Sequence, residues 1–177
     1  MNDFIFRKAE LKDIDAVEKV YEAVLDKEES TGIIYTNWRK NLYPTRKDAE
    51  KAFSLDTLFV AETEGEIAGA VILNHIQPPE YSNINWTYEA EGEEVLVIHT
   101  LCIHPDFRGR KCAERFVAFS EEWAKKLGCK AVRLDTYEGN EPAIKLYTKL
   151  GYNYTGSTHF NFQNVIPEIL KCFDKLM

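Results

Sequence analysis

No run of apolar residues in this chain approaches the length that spans a bilayer, and the opening stretch Met1-Asn-Asp-Phe-Ile-Phe-Arg7 has no long apolar region. Neither a membrane partner nor a secretory leader is expected. Metal- or disulfide-forming cysteine patterns are also missing. Cys102, Cys112, Cys129 and Cys172 show no Cys-x-x-Cys or Cys/His spacing, and each lies in an apolar or helical stretch. Reduced, buried thiols in a cytoplasmic protein fit that pattern, with no metal. A basic excess is lacking too: the net charge of −7 argues against nucleic acid as the main partner, although a local basic turn remains compatible with it. There is no internal repeat, low-complexity segment or linker. The 177 residues are enough for one well-buried core and short for two, so residues 1–177 read as one domain.

What is present alternates strand and helix patterns. Phe4 to Arg7 reads as a short strand, and Leu11, Ile14, Val17, Tyr21, Val24 and Leu25 recur at helical spacing until Gly32. An aromatic, aperiodic segment follows from Ile33 to Tyr43. Thr45, with Asp48 at the third helical position, predicts a capped second helix. Thr57 to Glu62 and Glu66 to His75 read as a hairpin turning at Glu64-Gly65, and 76–94 as a long irregular loop. A strand at Val95 to Ile103 comes next. Cys112, Phe116, Phe119, Trp123 and Leu127 mark the buried stripe of a long helix that stops at Gly128. Ala131 to Tyr137 and Tyr152 to Phe160 read as strands, and Ile166, Leu170, Phe173 and Leu176 suggest a terminal helix. The order, with a crossover helix between two strands, makes an α/β fold with a mixed sheet.

Two blocks carry chemistry. In Leu101-Cys-Ile-His-Pro-Asp-Phe-Arg-Gly-Arg-Lys-Cys-Ala113 an apolar strand runs into a basic, glycine-containing turn that opens a helix. Unpaired N–H groups at a helix start, with the helix dipole, hold an anion, and Arg108, Arg110 and Lys111 add charge while Gly109 admits close backbone approach. The same turn taken alone also reads as a solvated helix start. In Asn140-Glu-Pro-Ala-Ile-Lys-Leu-Tyr-Thr-Lys-Leu-Gly-Tyr152, Asn140 is an N-cap, Pro142 suits the first turn and Gly151 closes the helix. Ala143, Leu146, Tyr147 and Leu150 share one face of it.

On these two blocks the chain resembles the GNAT superfamily of acyl-CoA-dependent N-acetyltransferases. The family's Leu-x-Val strand corresponds to Leu101 to Ile103, its Arg/Gln-x-x-Gly-x-Gly/Ala turn to Arg108 to Ala113, and its Asn-x-x-Ala-x-x-Leu-Tyr-x-x-x-Gly-Phe helix to Asn140 to Tyr152. The match covers roughly residues 95 to 160, and upstream only the order of elements agrees. The resemblance implies a mostly antiparallel, twisted sheet flanked by helices, with a splayed parallel strand pair that holds acetyl-CoA as co-substrate. It implies that backbone groups of Leu101, Cys102 and Ile103 meet the pantetheine arm. Arg108, Gly109, Arg110, Lys111, Cys112 and Ala113 would hold the pyrophosphate, and Asn140, Ala143 and Tyr147 would also contact the cofactor. Lys111 stands where the family has its central glycine. A right-handed helical backbone there would let its side chain point away or pair with phosphate.

Tyr147 matches the family tyrosine that donates to the departing sulfur, and it equally suits a packed helix face. His99 resembles the strand histidine of arylalkylamine acetyltransferases and is the candidate base; a hydrogen-bonded core histidine is the other reading. Alternation puts it on one face with Val97, Leu101 and Ile103, opposite Cys102, which favours direct transfer over an acyl-cysteine. Glu93, Glu94 and Glu138 stand in reserve. Tyr35, Trp38, Tyr43, Tyr81, Trp86 and Tyr88, with Glu80, Glu89 and Glu91, suit either a cationic acceptor or an aromatic packing or homodimer surface. The expected reaction is acetyl transfer to a primary amine of a small molecule or peptide. A non-catalytic acyl-CoA sensor and a protein-interaction module are the alternatives.

Overall fold

The computed structural model describes residues 3–177; the Met1-Asn2 part of the opening stretch lies outside them. Seven strands, β1 Ile5–Lys8, β2 Leu58–Thr63, β3 Glu66–Asn74, β4 Val95–Ile103, β5 Ala131–Tyr137, β6 Asn153–Phe162 and β7 Ile166–Leu176, form one sheet in the order β1-β2-β3-β4-β5-β7-β6. The helices are α1 Ile14–Thr31, α2 Arg46–Ser54, α3 Cys112–Leu127 and α4 Glu141–Lys149. β4 and β5 pair in parallel from Val95↔Ala131 to Ile98↔Leu134, whereas β1/β2, β2/β3, β5/β7 and β6/β7 are antiparallel. Contacts divide the chain into two compact units. One comprises the chain up to Ile33, Trp38–Leu73 and His99–Phe119; the other comprises Ile34–Asn37, Asn74–Ile98 and Ser120–Met177.

In the first unit, local chemistry explains the elements. Gly32, left-handed at φ 69, ends α1, and Thr45 with Asp48 forms the reciprocal cap that starts α2. Glu64 and Gly65, at φ 54 and 80, make the two-residue turn between β2 and β3. The apolar stripe of α1 packs with Ala49 and Ala52 of α2 on Leu58, Val60, Ala70 and Cys102. Leu11, counted into that stripe by spacing, instead lies in a short 3-10 turn and is 73% exposed. A second cluster joins Phe6 to Phe116 and Phe119, with ring centroids 5.0 and 5.8 Å apart. Gly69 is needed on β3: a Cβ there would sit 2.7 Å from the Cys102 carbonyl oxygen.

In the second unit, the 76–94 segment covers β4 and β5, as Tyr81, Ile84 and Ala90 pack with Val95, Val97, Ala131 and Cys172. The buried Asp174 anchors that segment by accepting from the N–H groups of Thr87 and Tyr88 at 2.7 and 3.1 Å. The terminal element is a strand, not the helix suggested by the spacing of Ile166, Leu170, Phe173 and Leu176. β7 pairs with β5 on one side and β6 on the other, and Asp174 among its buried residues hides the two-residue period. Leu127, expected in the buried stripe of α3, is exposed; Val117, Ser120 and Ala124 are the residues buried on that helix along with Cys112 and Phe116.

Candidate active site

The first compact unit carries the basic turn. β4 runs through Leu101, Cys102 and Ile103 to His104, whose N–H donates to the Ala68 carbonyl at 2.8 Å. The His104 ring nitrogen accepts from the Asp106 N–H at 3.3 Å and so caps the 3-10 turn Pro105–Phe107, a structural role. Arg108, Gly109, Arg110 and Lys111 follow, all exposed. Gly109 and Lys111 are left-handed, at φ 77 and 60. The expectation of a right-handed Lys111 is therefore corrected: the turn demands the conformation that glycine adopts freely, and lysine adopts it with strain. The Lys111 carbonyl accepts from the Arg115 N–H at 3.0 Å, the bond that closes the first turn of α3. Arg110 lies 5.3 Å from the ring centroids of both Phe4 and Phe107, which holds its guanidinium over apolar surface. This is an exposed basic turn that leads directly into a helix start, where anions are favoured.

His99 and Thr100 are half-buried on β4, and Thr100 is left-handed at φ 52. Strict alternation is interrupted at that residue, so the count that puts His99 on one face with Leu101 and Ile103 does not carry across it. Thr100 shares a hydrogen bond between hydroxyls with Tyr43, which together with Trp38 packs edge to face at 5.9 Å. Cys102 is buried against Ala70, and burial pushes its thiol up to about 12. A thiol held neutral in that way is a poor nucleophile at neutral pH.

The second unit carries the Tyr147 helix. Asn140 Oδ1 accepts from the Ala143 N–H at 3.2 Å and caps α4 as expected. Tyr147 is buried, 5.9 Å from the rings of both Tyr152 and Phe173, and burial followed by the negative charge of Asp135 raises its pKa. The hydroxyl thus stays protonated through neutral pH, as a donor must. Glu94 pairs with Lys130, which lowers its pKa and makes it a weaker proton acceptor. Glu138 and Tyr137 line an open cavity at the end of β5.

The aromatics of the 76–94 segment are already engaged. Trp86 has the Arg133 guanidinium 4.3 Å over its ring, and Tyr81, 3% exposed, donates to Asp135 at 2.8 Å. Tyr88 gives its carbonyl to Arg133 at 3.0 Å and its hydroxyl accepts from Asn153 at 3.2 Å. All three side chains pack within the second unit, with an internal cation on the tryptophan. Two carboxyl groups without a motif emerge instead. Burial pushes Asp135 up to about 6 and Glu168 up to about 7. The only hint in the sequence was a charge among apolar residues, Asp135 inside the strand at Ala131 to Tyr137 and Glu168 inside the segment read as a terminal helix.

A family model described as the Acetyltransferase (GNAT) family matches residues 18–152. The chain belongs to the GNAT acetyltransferase family. An uncharacterised N-acetyltransferase of Methanocaldococcus jannaschii is 32% identical over 124 residues, which cover 67% of this GNAT chain and 51% of that protein. Streptothricin acetyltransferase of Escherichia coli is 31% identical over 81 residues, 46% of this chain and 43% of that one. The chain spans about half the length of the curated relatives it matches. Among solved structures, a GNAT-family acetyltransferase of Streptococcus agalactiae superposes with a TM-score of 0.75 at 20% identity, over 98% of this chain and 95% of that one. The ribosomal-protein-S18-alanine N-acetyltransferase of Escherichia coli gives 0.68 at 13% identity, over 98% and 94%. Both likenesses bear on the GNAT fold.

Proposed function

We propose that this chain is an acetyl-CoA-dependent N-acetyltransferase, one catalytic domain that moves an acetyl group directly to a primary amine of a small molecule or peptide. The observation that carries the reading is the turn Arg108–Lys111, exposed, basic and twice left-handed, immediately before the start of α3. Bound there, acetyl-CoA supplies an acetyl group already activated as a thioester. Backbone donors of the turn, with Cys112 and Ala113, bind its pyrophosphate, and charge-assisted bonds of this kind contribute about 1.5–3 kcal/mol each. The left-handed Lys111 reproduces the backbone that a glycine would give, and its ammonium adds charge. Leu101, Cys102 and Ile103 offer backbone groups to the pantetheine, and Asn140 and Ala143 form the start of the helix that presents Tyr147. Tyr147 holds a proton on Oη for the departing sulfur. Four free, buried cysteines suit a reducing, cytoplasmic setting.

The deciding experiment is calorimetric titration with acetyl-CoA, followed by a screen of amines for release of free thiol. Binding with turnover on an amine is expected. Binding without turnover on any amine would make the protein an acyl-CoA sensor, and no binding would leave an interaction module.

A further inference from the structure

Glu168 is the carboxylate that the foregoing reading leaves without a task. It stands on β7 in register with Phe160 of β6, in an open cavity of about 510 Å³ whose lining includes Asn37, Tyr137, Glu138, His159, Phe160 and Glu168 itself. The whole cavity belongs to the second compact unit. Asn37, left-handed at φ 58, donates from Nδ2 to Glu168 Oε2 at a long 3.4 Å. Among the described residues no cation is paired with this half-buried carboxylate. Taking an anion out of water without a counter-charge is unfavourable, and a cation entering the cavity from outside would relieve that cost.

The surroundings fit a protonated amine. Tyr137 and Phe160 supply aromatic surface beside the carboxylate, and cationic amines are drawn to aromatic faces. Gly139 makes the Tyr137 wall fit, because a Cβ there would lie 2.6 Å from that ring. Asp135, on the neighbouring strand β5, adds negative charge felt by both Glu168 and Tyr147. A metal ion is the poorer occupant: among the described residues no group of three or more His, Cys, Asp or Glu is placed to hold one.

We propose that this cavity receives the acceptor's ammonium group and that Glu168 both holds it and removes its proton. The inference rests on the transferase reading above and deepens it. An ordinary carboxylate lies about six pH units below an alkylammonium, and the Glu168 carboxyl, pushed up to about 7, roughly halves that gap. The titratable groups around it are Asp135, Tyr137 and Glu138 from the β5 side and His159 from β6. In the transfer, the new C–N bond forms as the donor's C–S bond breaks. One of the three ammonium protons goes to Glu168 and on to solvent, one restores to Tyr147 the proton it gives the departing sulfur, and one stays on the amide nitrogen.

The test uses n-butylamine, phenethylamine and a lysine-ended tripeptide as probes of the wild-type chain, of Glu168→Gln and of Glu168→Asp. With acetyl-CoA present, Glu168→Gln should lower kcat/KM by about 10²-fold or more and abolish the break near pH 7, with the acetyl-CoA-induced rise in Tm intact. Glu168→Asp keeps the ionisation and should fall between the two. In the wild-type protein with 13C-labelled glutamate carboxyls, the signal missing from Glu168→Gln should titrate near pH 7 and shift when an amine is added. Turnover of Glu168→Gln within twofold of wild type, or a Glu168 signal indifferent to every amine, overturns the inference. A wild-type protein that binds acetyl-CoA yet transfers neither to these probes nor to any amine of the screen overturns its proton-removal half together with the transferase reading. The amine titration of the Glu168 signal then still decides whether the cavity takes a cation.

Discussion

At the scale of single residues, Lys111 is the most exposed to test. A non-glycine residue in the left-handed region costs roughly 1–2 kcal/mol, and the extra freedom of glycine in the unfolded chain returns roughly half of that. Lys111→Gly should therefore raise Tm by about 1–4 °C in the free protein, while Lys111→Ala should not. Acetyl-CoA titrations then separate charge from backbone. If the ammonium pairs with phosphate, both variants bind acetyl-CoA more weakly, with a deficit that shrinks in high salt; tighter binding by Lys111→Gly would show the side chain to be an obstruction. Tyr147→Phe keeps the packing on Phe173 and deletes only the hydroxyl, so turnover should drop by about 10²-fold with acetyl-CoA affinity unchanged. Unaltered turnover under chemistry-limited conditions returns Tyr147 to the core. His99→Gln addresses the other candidate base. If imidazole takes the proton, the lower break of the pH–rate profile disappears in His99→Gln and survives in Glu168→Gln; the reverse outcome assigns the base to Glu168.

At the scale of elements, helix ends were the most legible part of the fold, because the signals sit in a few adjacent residues. Thr45 with Asp48, Asn140 with the Ala143 N–H, and Gly32, Gly128 and Gly151 at left-handed φ all lie where the sequence puts them. The last element was misread for the opposite reason. A spacing of four, three and three suits a helix, and what overrides it is pairing on both edges, with residues that are distant in sequence. That placement predicts slow amide exchange across Lys171–Asp174, bonded within the sheet from two sides, and a helix or an edge strand there would exchange faster. Phe173→Ala should cost about 3–5 kcal/mol, read as a Tm loss of order 10 °C, since the ring packs on Tyr147 and Tyr154.

At the scale of the whole molecule, two raised carboxyls leave a signature in stability. Asp135 at about 6 and Glu168 at about 7 bind protons more tightly in the folded chain than the 3.8 and 4.5 of free side chains. The folded state is thus favoured by protonation, and stability should fall as pH rises from about 4 through 7. Asp13 and Glu94, with lowered pKa, act in the opposite sense and lose their contribution on further acidification. Thermal melts should show a lower Tm at pH 8 than at pH 5, and Asp135→Asn, which still accepts from Tyr81, should flatten the slope. Acetyl-CoA at a hundred times its dissociation constant should add about 2.7 kcal/mol, and no shift at millimolar concentration removes the proposed function. What the sequence determined by itself was local: caps, the hairpin turn, the basic turn before α3 and the tyrosine helix, each specified by neighbours within a few positions. The tertiary structure alone decided the left-handed Lys111, the fate of the aromatic segment and the terminal strand. It also brought Asn37, Tyr137, Phe160 and Glu168 around one cavity. Strand pairing and burial join residues more than a hundred positions apart, and a carboxylate's charge and basicity follow from those neighbours, which no local pattern records.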